Sequence, residues 1–218
     1  MTSIPASTMA LLGIKYRLLA LPLLLSVAFS LAAQHLQEGD LLFACSMEPN
    51  AITQVTTGVD ALPIDHVAVV HRIGGDTGLL YVIEAVKPVV RLTPIQDFLD
   101  ENGTVLIGRI NGDLDIKKSI RRCLAMVGKP YDDLYLPGDS ALYCSELVQM
   151  NYVTAAGALV FDTVPMSFHD STGQVTDYWR DFYSQRGMDV PEGAPGTNPG
   201  ELSRRPQVTI VGKYPIQL

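Results

Sequence analysis

The sequence predicts an α+β domain in which short apolar strands come first, two amphipathic helices follow, and one strand closes the chain after a long loop. Three observations predict it. Apolar runs the length of a single strand recur between turn residues, at 41–44, 65–72, 79–86, 104–110 and 208–212. Two stretches, 116–127 and 141–152, carry their apolar residues at helical spacing instead. The length of 218 residues, with 47% apolar and 18% charged composition, suits one compact core.

The N-terminus differs from the rest. After Lys15 and Arg17 comes the uncharged stretch 18–29, about the length of a signal-peptide core and short for a membrane span. Small residues at Ser30 and Ala32 suit cleavage near Ala32 or Ala33, so 1–33 is expected to be a secretory signal and 34–218 the exported domain, periplasmic or extracellular. An uncleaved anchor is the competing reading, and no cysteine follows closely enough to suggest lipoprotein processing. Removing Lys15 and Arg17 leaves 14 of the 16 basic side chains against 23 acidic ones, a net charge of −9. So acidic a surface repels phosphate backbones and anionic headgroups, and no basic stripe is present. Nucleic acid is not an expected partner, nor is stable membrane insertion once the leader is gone.

The elements then follow in order. Asp40–Ala44, after Gly39, reads as a short strand ending at Cys45. Asp65–Arg72 and Leu79–Val86 flank the turn residues Gly74-Gly75-Asp76-Thr77-Gly78 and predict a hairpin. Pairing symmetric about Gly75 sets Arg72 opposite Gly78, Val70 opposite Leu80 and His66 opposite Glu84 on one face; a shift of two keeps that face, a shift of one separates the pair. Ile95–Leu99 reads as a short helix and Thr104–Ile110 as a strand. In 116–127, Ile116, Ile120, Cys123, Leu124 and Val127 share a face and Gly128 stops the helix. Pro137-Gly138-Asp139-Ser140 is a loop, and the following helix, 141–152, has Cys144, Leu147, Val148 and Asn151 on one side. From 153 to about 206 the chain is loop-rich, and 190–200 holds too much glycine and proline for regular structure. Val208–Gly212 is a last strand that packs the tail back on the domain. Phe161, Phe168, Tyr178, Trp179 and Phe182 are read first as core, and second as a substrate groove.

Chemistry concentrates at three residues. Three cysteines in an exported chain leave at least one without an intramolecular partner. Cys45 and Cys123 sit in apolar settings and read as structural, with a bridge between them left open. Cys144 opens a helix, where unpaired N–H groups and the positive end of the dipole favour a thiolate and receive an oxyanion. Tyr143 beside it is the candidate for contact with substrate or oxyanion. A carboxylate within Val82–Val86 is costly to bury unless paired, and the imidazole of His66 supplies the partner. That pair fixes the imidazole tautomer and frees the other ring nitrogen to take a thiol proton, so Cys144, His66 and Glu84 are the expected nucleophile, base and orienting group. His71 has the opposite parity, and His35 and His169 lie in polar surroundings; none is expected to have a comparable partner. Paired-histidine helix motifs, C-x-x-C, glycine-rich phosphate loops, G-x-S-x-G and internal repeats are all missing, so no metal and no cofactor are expected.

Five strings in order, Gly39-Asp40-Leu41-Leu42-Phe43, Asp65–Val70, Val82–Val86, Gly128-Lys129-Pro130-Tyr131-Asp132 and Tyr143–Val148, resemble the YiiX/YebB-like branch of the NlpC/P60 cysteine hydrolases. The resemblance covers about residues 37–152. It implies a papain-like core in circularly permuted order, since His66 and Glu84 precede Cys144, with the cysteine helix packed on an antiparallel sheet. Asp65 departs from the small residue expected before the histidine and would raise its basicity. The resemblance implies an amidase or peptidase working through a thioester, with a peptide or other small amide as its partner and cell-wall-type peptides the expected substrate. A lipid acyl hydrolase or acyltransferase is the second expectation, and a binding module on an inactive enzyme fold the third.

Overall fold

The computed structural model describes residues 36–75, 78–138 and 140–215. The expected secretory signal, His35 and Asp139 lie outside the described residues. Among those residues no helix is long and apolar enough to cross a membrane.

Strands β1 Leu41–Cys45, β2 Ile64–Ile73, β3 Leu79–Ala85, β4 Val90–Pro94 and β5 Thr104–Ile110 lie in one antiparallel sheet, completed by β8 Val208–Tyr214. The order is β4-β3-β2-β1-β5-β8. Two-residue strands β6 Val164–Pro165 and β7 Pro195–Gly196 pair separately. The helices are α1 Ile95–Glu101, α2 Ile116–Ala125, α3 Cys144–Asn151, α4 Asp177–Ser184 and α5 Pro199–Ser203.

The continuous apolar run of β1 is buried at all five positions, as a central strand covered on both faces must be. Leu41 and Phe43 pack with Val67, Val69, Ile83, Ile120, Cys123, Leu147 and Val148, so the main core lies between the sheet and the layer of α2 and α3. β5 passes so near this core that a Cβ on Gly108 would lie 2.6 Å from Phe43 Cε2. β8 alternates half-buried and exposed residues, the pattern of an edge strand, and its pairing with β5 brings the tail back to the sheet. Asp115 caps α2 by accepting the Lys118 N–H, and Gly128, at φ +91°, lies beyond its end.

The hairpin forms two residues away from the symmetric register: Arg72 pairs with Leu80 and Val70 with Val82. Gly78 is held in the turn by its N–H bond to the Gly75 carbonyl, so pairing starts one residue later, at Ile73 and Leu79. The shift is even, and His66 and Glu84 keep a common face.

Regular structure also occurs where none was expected. The glycine- and proline-rich stretch carries β7 and the start of α5, because Asn198 caps that helix by accepting the Glu201 N–H and Pro199 fits its first turn. α4 lies within the loop-rich part and buries Trp179 and Tyr183. These two join Met166 and Phe168 in a second core against Ala51, Ile52 and Val55, tied down by Trp179 Nε1 donating to the Ala51 carbonyl at 3.1 Å. β4 is a further strand that the apolar pattern does not mark.

Leu147 is fully buried under α3, whereas Leu79 is 70% exposed. Leu147→Ala should therefore lower the unfolding free energy by about 3 kcal/mol and Leu79→Ala by less than about 0.5 kcal/mol in urea titrations. Equal losses would show that α3 is not packed as described.

Candidate active site

Cys144 is the first residue of α3, after Tyr143 in extended conformation. The first N–H groups of a helix have no partner within it, and Cys144 stands in the turn that carries them. Cys144 is 6% exposed.

His66 reaches the same point from β2. Next to it the β1–β2 register shifts between Ala44 and Cys45, so that Ile64, not Asp65, faces Cys45. A bulge of this kind re-aims the neighbouring side chain. His66 Nε2 lies 2.9 Å from Glu84 Oε2. The Cys144 side chain interacts with the same ring, where Nδ1 is the nitrogen that Glu84 leaves open.

Glu84 is 3% exposed, and its partners exceed those the sequence suggests. Oε1 accepts Thr93 Oγ1 at 2.6 Å and the Arg91 guanidinium at 3.0 Å. Both residues belong to β4, where Arg91 stands directly opposite Glu84. The alternation in Val90-Arg91-Leu92-Thr93 was the available signal, but five residues ending in proline make a weak strand pattern. Burial opposes the charge on Glu84, and the His66, Thr93 and Arg91 contacts overcome it, lowering its pKa to about 2. Burial likewise opposes the charge on His66, and the hydrogen bonds to Cys144 and Glu84 overcome it, raising its pKa to about 10.

His71 and His169 do have acidic partners, contrary to expectation. His71 Nδ1 bonds Glu38 Oε1 at 2.7 Å, and His169 Nδ1 lies 3.2 Å from Glu192 Oε1. The other cysteines fit the structural reading: Cys45 and Cys123 are buried and free, and burial raises both thiols, Cys123 to about 12. Asp65 gives one carboxylate oxygen to Asn50 Nδ2 at 2.6 Å, and Cys144 and Glu84 are the groups that dominate the titration of His66.

A cleft opens beside the sulfur. Its walls include Tyr131, Tyr135, Tyr143, Met166, Phe168 and Trp179, with Asp65 the one charged side chain among the lining residues. Of the five aromatics questioned from sequence, Phe168 and Trp179 thus line the cleft. Phe161 is core against Tyr152, and Tyr178 is half exposed. Tyr135, φ +52°, is held edge-on to Trp179 and within 3.3 Å of the Tyr131 hydroxyl. Tyr143 is buried, and its hydroxyl accepts the Thr197 N–H at 3.1 Å. A thiol, an imidazole and a pinned carboxylate in series can generate a thiolate–imidazolium pair at a helix terminus that holds N–H donors for an oxyanion.

Comparison with known proteins agrees with this geometry. The model of a family described as permuted papain-like amidase enzyme, YaeF/YiiX, C92, matches residues 35–212. The uncharacterized protein YiiX of Escherichia coli K12 is 31% identical over 214 residues, covering 91% of this chain and 96% of its own. The crystal structure of the metalloprotein YiiX from Escherichia coli O157:H7 superposes with a TM-score of 0.66 at 25% identity, covering 81% of this chain and 97% of the other.

Both shifted groups stabilise the fold, with opposite dependence on pH. His66, raised from 6.5, stabilises the fold fully below pH 6.5 and ceases to do so as the pH rises through about 10. Glu84, lowered from 4.5, stabilises it above pH 4.5 and loses that effect as the pH falls toward 2. Urea unfolding should show stability declining from pH 7 to pH 10, with a shallower decline in His66→Ala. Parallel curves for the two proteins would contradict the His66 assignment.

Proposed function

The chain belongs to the permuted papain-like amidase family, YaeF/YiiX, C92, and from that premise we propose that it is an exported cysteine amidase with Cys144 as nucleophile, His66 as base and Glu84 as the group that orients His66. One observation carries the reading: a single imidazole joins the Cys144 thiol to a carboxylate that is itself pinned by Arg91 and Thr93.

In the acylation step the Cys144 sulfur, its proton held on His66, attacks the amide carbonyl carbon. The C–N bond breaks as the imidazolium gives its proton to the leaving amine, and a thioester remains on Cys144. Neutral His66 then takes a proton from water, the hydroxide oxygen adds to the thioester carbon, and the carboxylic acid departs with the thiol restored. The N–H groups opening α3 receive the oxyanion in both steps, and Tyr143 completes the wall next to it. Glu84 keeps the imidazole in the tautomer that presents its free nitrogen to sulfur.

The substrate we propose is a cell-wall-type peptide amide, which an enzyme exported by the 1–33 leader would meet outside the cytoplasm. The apolar and aromatic walls of the cleft favour a second reading, hydrolysis or transfer of a lipid acyl group by the same three residues. A resident metal does not fit the donors. Among the described residues no three His, Cys, Asp or Glu side chains converge on one point, and both Glu84 oxygens are already engaged. The metalloprotein character of YiiX is therefore not carried over.

Incubation of the purified protein with cell-wall peptides and with lipid esters, read by mass, tests the substrate. Release of a free amine or amino acid is expected; release or transfer of a fatty acyl chain would replace this reading with the second. Glu84→Gln should keep the fold and lower turnover by at least about tenfold, because the imidazole loses its charged orienter. Unchanged turnover would leave Glu84 a structural role only.

A further inference from the structure

The bulge between β1 and β2 brings two consecutive residues to one site. In a regular strand Asp65 and His66 would point to opposite faces. Here β1 pairs Ala44 with His66 and Cys45 with Ile64, which leaves Asp65 as the extra residue. His66 meets Cys144, and Asp65, half-buried, lines the cleft that opens beside the same sulfur. One oxygen of its carboxylate is held. Asn50 turns its Oδ1 to the Ile52 and Thr53 N–H groups, at 2.9 and 3.0 Å, and its Nδ2 donates to Asp65 Oδ2 at 2.6 Å. The next carbonyl along the chain, that of Ala51, accepts Trp179 Nε1, so one short segment holds both the carboxylate and an aromatic wall of the cleft. The other oxygen, Oδ1, makes no hydrogen bond, and no Lys or Arg forms an ion pair with Asp65 among the described residues. A substrate that fills the cleft replaces the water around Asp65 with the side chains of walls that include Tyr135, Tyr143 and Trp179. A carboxylate stripped of water and left unpaired is costly, and the lining supplies no cation to offset it. The molecule that enters must bring one. The Tyr135 ring stands 5.3 Å from Tyr143 and 5.6 Å from Trp179, and aromatic faces attract a cation as well.

We infer that Asp65 is a specificity-determining residue: its open oxygen receives an ammonium group of the substrate, so the amides cleaved at Cys144 are those that carry a free protonated amine within reach of the scissile bond. The inference rests on Cys144 as the nucleophile, and it narrows the proposed peptide amide to an amine-bearing one. A primary ammonium donates to Oδ1 in a charge-assisted hydrogen bond while the aromatic walls cover its carbon neighbours. A neutral fatty acyl chain in the same place would leave the carboxylate unpaired, and a substrate with its own carboxylate there would be repelled.

Thiol reagents that differ chiefly in charge test this without a known substrate. The purified protein is treated with aminoethyl, methyl and sulfonatoethyl methanethiosulfonate, and the rate and position of labelling are measured. At Cys144 of wild type the cationic reagent should react fastest and the anionic one slowest. The ratio of cationic to neutral rates should fall by at least about tenfold in Asp65→Asn, whose side chain can still accept from Asn50. Peptide amides with a free amine, compared with their N-acetylated forms, should lose their advantage in kcat/KM in the same variant. Should the variant not fold, n-butylammonium must still protect wild-type Cys144 from iodoacetamide at concentrations where n-butanol does not. An unchanged reagent ratio in the folded variant, or equal protection by the amine and the alcohol, would overturn the proposal. Failure of the nucleophile reading would show separately, as label from all three reagents on Cys45 or Cys123 in place of Cys144.

Discussion

The arrangement depends on a buried carboxylate held on three sides. Glu84 faces the imidazole of His66 with one oxygen and gives the other to Arg91 and Thr93, so its charge survives in a place where burial alone would extinguish it. This fixes the ring, and the ring in turn meets the thiol at the start of α3. A carboxylate with only the histidine for company would share its proton with it. Two further donors on the far oxygen keep the negative charge on Glu84 and the proton on His66.

The sheet order explains why these groups can meet. β4, β3 and β2 are adjacent, so Arg91, Glu84 and His66 step across three strands toward the helix. α3 lies on the main core through Leu147 and Val148, which anchors the Cys144 terminus. Cys123 and Cys45 show the contrast. Each is a buried thiol raised by desolvation, with no imidazole beside it.

Much of this was legible in the sequence because burial writes itself into apolar periodicity. The run at β1, the hairpin and the amphipathic spacing around Cys123 each located an element, and parity alone put His66 and Glu84 on one face even though the register is two residues away from the symmetric one. What was not legible depends on tertiary contact. β4 carries Arg91 and Thr93 in too short a pattern to stand out, and α4 hides in a loop-rich stretch whose aromatics pack against residues over a hundred positions earlier. The acidic partners of His71 and His169 are likewise remote in sequence. α5 was missed for a local reason: its proline and glycine read as loop, whereas Asn198-Pro199 is a helix start.

The claim that His66 and Cys144 act as one unit is tested most directly by the rate of Cys144 alkylation against pH in wild type and His66→Ala, with a denaturation curve for each. In wild type the reaction should stay fast well below the pH at which an ordinary thiol, of pKa about 8.5, loses its proton. In the variant the profile should move upward by about one pH unit or more while unfolding remains cooperative, because only the helix terminus still favours the thiolate. Superimposable profiles, with a loss of stability alone, would contradict the account.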